Sequence, residues 1–384
     1  MIDQDKHSRR IFFSSAVLGA FGLSLSPFNT PFARQSKKKN FLYEPKLGFA
    51  KLDSNENPYG PSPKALEAIN KASKRGAYYV KASGKFLREM IAEKHNLSPD
   101  HVMLSSGSTA ALANIAFAAI KEGHILAPDL FWDITAKTAS EVGKFELKRL
   151  PSNKNHQIDL DTMDKALSED VSLIQITNPN NPTGLIVESN KLYEFCKRAS
   201  KKSLILIDEA YNELTDNPDT STMIPLVREG ENIIITRTFS KIHGLAGMRI
   251  GYSIANPEIL RKIRRFGIIG DWTTNQTGIA AAIASYDDNA FLAYSKSKII
   301  EAREMVMDAL KENGLNALPS WTNFIFVNLG NRDADKFKIG MAKRNIAIQG
   351  SYDKHIHWSR VSMGKIRDVQ RYINAMPAVL DEIS

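Results

Sequence analysis

Cysteine is almost missing from this chain: Cys196 is the only one in 384 residues. A single thiol makes neither an intramolecular disulfide framework nor a thiolate metal cluster. No Gly-x-x-x-x-Gly-Lys-Ser/Thr loop occurs, which removes the usual nucleotide-phosphate cradle. Internal repeats and low-complexity segments are missing as well. Finger spacing and aromatic-basic modules are absent, so the formal charge of +9 does not mark a nucleic-acid partner. Basic residues alternate with acids, and the dense runs are Lys37-Lys38-Lys39 and Lys197-Arg198 with Lys201-Lys202. The apolar stretch from Ile11 to Leu25 is fifteen residues, too few to span a bilayer comfortably.

What remains is the composition of a folded enzyme-sized protein. Hydrophobic residues make up 43% and charged residues 24%, with 22 glycines and 16 prolines. That supports a large core and more than one domain. The first 35 residues differ in kind from the rest. Ser8-Arg9-Arg10-Ile11-Phe12-Phe13 leads into the short apolar stretch, a basic start of the type used for targeting. The paired arginines resemble a twin-arginine export signal, which moves folded proteins and implies a periplasmic or exported location. The other reading is a tail that stays attached, with the protein in the cytoplasm. Thr30 to Ala33 is the nearest cleavage candidate.

The body alternates strand and helix patterns. Helices are expected at 63–73, 84–95, 110–120 and 187–199. Cys196 in the last of these reads as a buried small hydrophobe. Strands are expected at 102–104, 124–127, 144–149, 171–177, 204–208, 232–237 and 249–254. Apolar strands separated by helices predict an α/β fold, a three-layer α/β/α domain with a mostly parallel sheet. Residues 76–260 are assigned to that domain. Residues 41–75 and 261–384 would form a smaller α+β domain, with strands at 324–327, 346–348 and 357–361 in one second sheet.

Lys241 carries the chemistry. Thr238 and Ser240 precede it and Arg249 follows it. An amine can condense with an aldehyde, and two hydroxyls and a guanidinium can hold the phosphate of the same molecule. Ser106-Gly107-Ser108-Thr109 joins a strand to a helix, where backbone N–H groups suit a phosphate. Asn178-Pro179-Asn180-Asn181-Pro182 follows another strand, so Asn181 stands where α/β sheets bind ligands. Asp208 ends an apolar strand, and a buried carboxylate needs a partner. A pyridine nitrogen kept protonated is one such partner; a magnesium ion is the alternative. Tyr211 lies three residues on, able to reach the same phenolate oxygen as Asn181.

Asn181, Asp208, Tyr211, Thr238, Ser240, Lys241 and Arg249 together resemble the fingerprint of fold-type I pyridoxal-phosphate aminotransferases. The histidinol-phosphate aminotransferase-like group is the nearest in pattern. The resemblance spans about residues 45–380 and implies pyridoxal 5'-phosphate on Lys241 and transfer of an amino group between an amino acid and a 2-keto acid. Racemisation, decarboxylation or elimination on the same cofactor is the alternative. It further implies a homodimer in which Tyr79 reaches the neighbouring subunit's site, and no metal. Arg360 matches the carboxylate anchor, with Asn55, Tyr59 and Asn323 on the substrate side.

Three departures stand out. In Pro128-Asp129-Leu130-Phe131-Trp132, strict register places Leu130 where the family stacks a ring, so Phe131 is favoured for that role, with Trp132 second. No arginine follows Ile346-Ala347-Ile348, which weakens histidinol phosphate as the substrate, since its phosphate would lose a bidentate partner. The export signal does not suit a cytoplasmic biosynthetic step. The side-chain pocket is expected between residues 57–60 and 349–357, with neutral or aromatic donors favoured over acidic ones. His243 either lines the site or packs its loop, and His355 and His357, two apart on one strand face, either read the substrate side chain or stand without a role; two histidines are too few for a metal site.

Overall fold

The computed structural model describes residues 45–119, 123–267 and 269–384. The export-signal segment and its cleavage candidate lie outside the described residues. Leu47–Ser384 form one compact unit, and the following concerns it.

Its strands are β1 (Ala50–Lys51), β2 (Val102–Ser105), β3 (His124–Pro128), β4 (Leu147–Leu150), β5 (Val171–Thr177), β6 (Leu204–Asp208), β7 (Ile233–Thr238), β8 (Gly251–Ala255), β9 (Asn316–Ala317), β10 (Phe324–Asn328), β11 (Ile346–Ala347) and β12 (Trp358–Ser362). Its helices are α1 (Pro63–Ser73), α2 (Ala82–Lys94), α3 (Gly107–Ala119), α4 (Ile134–Gly143), α5 (Leu160–Lys165), α6 (Ser189–Ala199), α7 (Ile224–Arg228), α8 (Pro257–Arg264), α9 (Gln276–Tyr286), α10 (Asn289–Glu312), α11 (Ala334–Ala342) and α12 (Ile366–Glu382).

Seven strands form the main sheet in the order β2-β8-β7-β6-β5-β3-β4. β8 runs antiparallel to β2 and β7; the remaining pairs are parallel. The sheet alternates cleanly between two cores. Ile205, Ile207, Ile233 and Ile235 enter one core with side chains of α2, α6 and α7. Leu206 and Ile234 enter the other with α3, α4 and α8. Period-2 strands buried on both faces give the expected α/β/α layering. Cys196 is buried in the first core, and burial pushes its thiol well above the usual range.

Ala65 of α1 and Ile279, Ala281 and Ala282 of α9 also join the first core. Boundaries drawn at 75 and 260 therefore do not coincide with the edge of this core. A third core gathers α10, α11 and α12 around β10 and β12, and takes in Tyr211 and Ile242.

Local chemistry shifted several boundaries. α3 begins at Gly107 and not at Ala110, so Ser108 and Thr109 belong to its first turn. Lys144, expected in a strand, is the left-handed C-cap of α4 (φ 56°). Arg249 is also left-handed (φ 54°), and β8 starts two residues later. The second sheet contains β12, β10 and β9. Residues 346–347 are not part of it: they pair in parallel with β1, across nearly the whole chain. Neither two-residue β1 nor β9 carries enough periodicity to be read from sequence.

Candidate active site

The parallel strands β5, β6 and β7 end at one edge of the sheet, and a cavity of about 450 Å³ opens there. Lys241, Asp208, Asn181, Tyr211, Thr238, Ser240, Ser108, Thr109, Arg249, Trp132, Asn55 and Arg360 all line it. They come from segments spread over three hundred residues, brought together because the strand ends converge at the sheet edge.

Asp208 is 5% exposed. Burial raises its carboxyl to about 6, while Thr236 and Lys241 pull it back toward the ionised form. Thr236 Oγ1 donates to its Oδ1 at 3.0 Å. Burial, with Arg360 nearby, lowers the Lys241 amine to about 8. Near neutral pH a useful fraction of that amine is unprotonated, as a nucleophile requires. Lys241 Nζ stands 5.5 Å from the centre of the Tyr211 ring. Burial raises the Tyr211 phenol to about 12, so it stays a donor. Asn55 Nδ2 donates to its oxygen at 3.0 Å.

At the other end of the cavity, Thr238 Oγ1 donates to Ser240 Oγ at 2.9 Å. Arg249 lies across the start of α3. A Cβ on Gly107 (φ +76°) would collide with its guanidinium. Helix N–H groups, hydroxyls and a guanidinium thus meet at one place, a donor set fitted to a phosphate. A buried carboxylate, an amine of lowered pKa and a flanking indole complete a set of groups that fits pyridoxal phosphate.

Arg360 is buried against Phe324 and Tyr352, 5.2 and 5.9 Å from their ring centres. Its Nη1 donates to Asn181 Oδ1 at 2.6 Å and its Nη2 to the Asp53 carbonyl at 2.8 Å. Its Nε is buried without a partner, and each terminal nitrogen carries a second N–H, which leaves donor capacity for an anionic ligand.

The chain matches the family described as aminotransferase class I and II over residues 48–376. The chain belongs to the class I and II aminotransferases. A histidinol-phosphate aminotransferase of Halalkalibacterium halodurans is 30% identical over 334 residues, covering 86% of this chain and 89% of the relative. That of Moorella thermoacetica is 32% identical over 332 residues, covering 86% and 85%. The crystal structure of histidinol-phosphate aminotransferase from Sinorhizobium meliloti, in complex with pyridoxal-5'-phosphate, superposes with a TM-score of 0.80. It is 25% identical, with 87% of this chain and 91% of that one covered. This aminotransferase uses pyridoxal phosphate to move an amino group between an amino acid and a 2-keto acid.

Some expected site residues lie elsewhere. Trp132, and not Phe131, borders the cavity. Phe131 is buried in the core with α3 and α4, in the irregular segment between β3 and α4 where strand alternation no longer applies. Leu130 is also buried, and its carbonyl accepts from Asn180. Ser106 and Gly107 do not border the cavity. Tyr59 stacks edge-on against Tyr294 and accepts from the Ile366 N–H, outside the cavity lining. Asn323 is fully buried; its Nδ2 holds the Asn55 carbonyl at 2.8 Å. It supports the wall without bordering the cavity. Tyr79 is 84% exposed and absent from this chain's own cavity.

Asp53 to Glu56 and Gln349 border the cavity, and residues 57–60 do not. Asn57 Nδ2 instead holds the Ile242 carbonyl at 2.7 Å, bracing the loop that carries Lys241. Asp53, Glu56 and Thr177 escaped notice because they look like ordinary turn and strand-end residues. His243 is buried on the far side of its loop, 2.8 Å from Ser285 Oγ. Burial lowers it to about 3, which keeps it neutral. His355 packs edge-on to His156, and His357 Nδ1 lies 2.9 Å from the Arg332 carbonyl. Neither lines the cavity.

Proposed function

We propose that this aminotransferase takes amino donors bearing one anionic group and a neutral or aromatic side chain, a class that includes histidinol-phosphate-like compounds. The observation carrying this is the lining: among the described residues, the cations at the cavity are Lys241, Arg249 and Arg360. Arg249 belongs with the phosphate hydroxyls and Lys241 with the reacting carbon. That leaves Arg360 as the anchor for one anionic group, a geometry suited to two parallel hydrogen bonds. A second anion on the side chain would face Asp53, Glu56 and Gln349 without a cation of its own.

Bound pyridoxal phosphate supplies an electron sink and a carbon that carries the amino group between two substrates. Ser108, Thr109, Thr238, Ser240 and Arg249 would hold its phosphate, and Trp132 would lie against its ring. Asp208 would keep the ring nitrogen protonated, with Thr236 fixing the carboxylate. Asn181 and Tyr211 would donate toward its phenolate oxygen. Lys241 Nζ would take the proton from the substrate Cα and deliver it to the carbon on the other side of the amino nitrogen. Asn55 orients Tyr211.

Single-turnover rates for L-phenylalanine, L-histidinol phosphate and L-aspartate test the donor class. Aspartate is expected to react at least about tenfold less efficiently than the better of the other two. Aspartate as the fastest donor would overturn the proposal.

Two further readings belong here. The chain acts as a homodimer in which Tyr79, exposed in one subunit, reaches the phosphate of the next. Arg9-Arg10 directs export to the periplasm through the twin-arginine route. Replacing both arginines by lysine should leave the protein, uncleaved, in the cytoplasmic fraction; unchanged fractionation would sink that assignment.

A further inference from the structure

The catalytic strand ends have a second face that the reaction does not use. Along β6, Ile205 and Ile207 enter the core with α2 and α6, and Leu206 enters the opposite one. Along β7, Ile233 and Ile235 follow the first course and Ile234 the second. Carried onward by the two-residue period, Asp208, Thr236 and Thr238 face the cavity side. Glu209 and Arg237 face the rear.

There they form a two-pronged ion pair. Arg237 Nε donates to Glu209 Oε2 at 3.0 Å and Nη2 donates to the same oxygen at 2.8 Å. Glu209 is fully buried and Arg237 is 6% exposed. The other carboxylate oxygen accepts the Met223 N–H at 2.7 Å, and the Thr222 hydroxyl bridges the two oxygens at 2.8 Å from Oε2 and 3.0 Å from Oε1. Glu213 stands 3.9 Å from Arg237 Nη1. The pair ties the end of β6 to the end of β7 one residue past the last paired position, Asp208 with Thr236. On the front of that same step, Thr236 Oγ1 grips Asp208 Oδ1.

We propose that Glu209 and Arg237 are positioning residues: a rear staple that holds Asp208, Thr236 and Thr238 in register on the cavity face. A buried pair with its remaining lone pairs satisfied resists shear between two strands more than backbone hydrogen bonds at a strand end do. The staple acts through Asp208 and Thr238 and touches neither substrate nor cofactor. It therefore rests on the reading that Asp208 and Thr238 contact the cofactor.

The test uses the full chain with Arg237→Lys, which keeps the charge and loses the planar fork, and Glu209→Gln, which keeps the shape and loses the charge. The unfolding midpoint of each is measured first, so that later readings are taken on folded protein. Three readings follow: affinity of the apo-protein for pyridoxal phosphate, the visible spectrum of the loaded protein, and kcat against KM. The staple predicts at least roughly tenfold weaker cofactor binding and lower kcat, a shifted spectrum, and a donor KM within about twofold of the parent. If either folded variant binds cofactor with parental affinity, spectrum and kcat, the staple is only structural and the proposal is overturned. If Arg237→Lys does not fold, Glu209→Gln decides alone. If neither folds, amide hydrogen exchange of the parent decides: protection at Glu209 and Thr238 no greater than at surface strand ends would overturn it. Asp208→Asn, run in parallel, separates the two failures. An unchanged spectrum there would refute the role of Asp208 itself, and a changed one leaves the staple to be judged on its own variants.

Discussion

Asp208 shows at the scale of one residue how a site can cost stability. Its carboxyl titrates near 3.8 when unhindered and near 6 when buried here. Between those values the folded chain holds a proton that the unfolded chain has lost. Stability from this group is therefore present at low pH, falls as pH rises through about 6, and stays reduced above it, by about 3 kcal/mol. Asp208→Asn removes the penalty while keeping an oxygen for Thr236. The apo-protein with Asp208→Asn should resist urea better than the parent at about pH 8, and the advantage should vanish below about pH 4. Urea midpoints across that range check it; a constant difference at all pH values would contradict the assignment. In the proposed site the cofactor's ring nitrogen is the missing partner, so loading should help the parent far more than the variant.

Helix α3 and the left-handed turn at Arg249 work as a pair at the scale of elements. The helix begins at a glycine with positive φ, and the Arg249 side chain fills the space a Cβ would need. Gly107→Ala both strains the backbone and displaces the guanidinium. We expect affinity for pyridoxal phosphate to fall at least about tenfold, with a smaller loss for pyridoxal, which lacks the phosphate. Equal losses for both ligands would show that the variant damages the fold and not the phosphate cradle. β6 and β7 deliver Asp208 and Thr238 to the same edge, and β10 with β12 delivers Arg360 opposite them. The site is thus shared between the main sheet and the smaller one.

At the scale of the whole molecule, Tyr79 is the test of assembly. It is exposed and does not line the cavity of its own chain, and the proposed dimer directs it at the neighbouring site. Chains carrying Tyr79→Ala and chains carrying Lys241→Ala should each be nearly inactive alone. In random mixed dimers, one site draws both intact residues together. Co-refolding equal amounts should restore about a quarter of the parental activity. No recovery, with dimers verified by sedimentation, would place Tyr79 outside the neighbouring site.

Local chemistry made much of this protein legible from its sequence. An amine between hydroxyls and an arginine, a carboxylate ending an apolar strand and an asparagine between prolines each state a chemical need at short range. Lys241, Asp208, Asn181, Tyr211, Thr238, Ser240 and Arg249 were readable for that reason, and Arg360 through the resemblance; β6 was readable from its unbroken apolar run and β5 from its β-branched and apolar residues. Direction and long-range pairing were not. Only the folded chain decides that Trp132 and not Phe131 turns to the cavity, because the segment between β3 and α4 is irregular and has no period to read. Only it brings residues 346–347 to 50–51, since two-residue strands have no period to read. Only it turns Asn323 and His243 away from the substrate and closes Glu209 onto Arg237. These depend on contacts between segments far apart in sequence, and their energies exist only once both partners are in place.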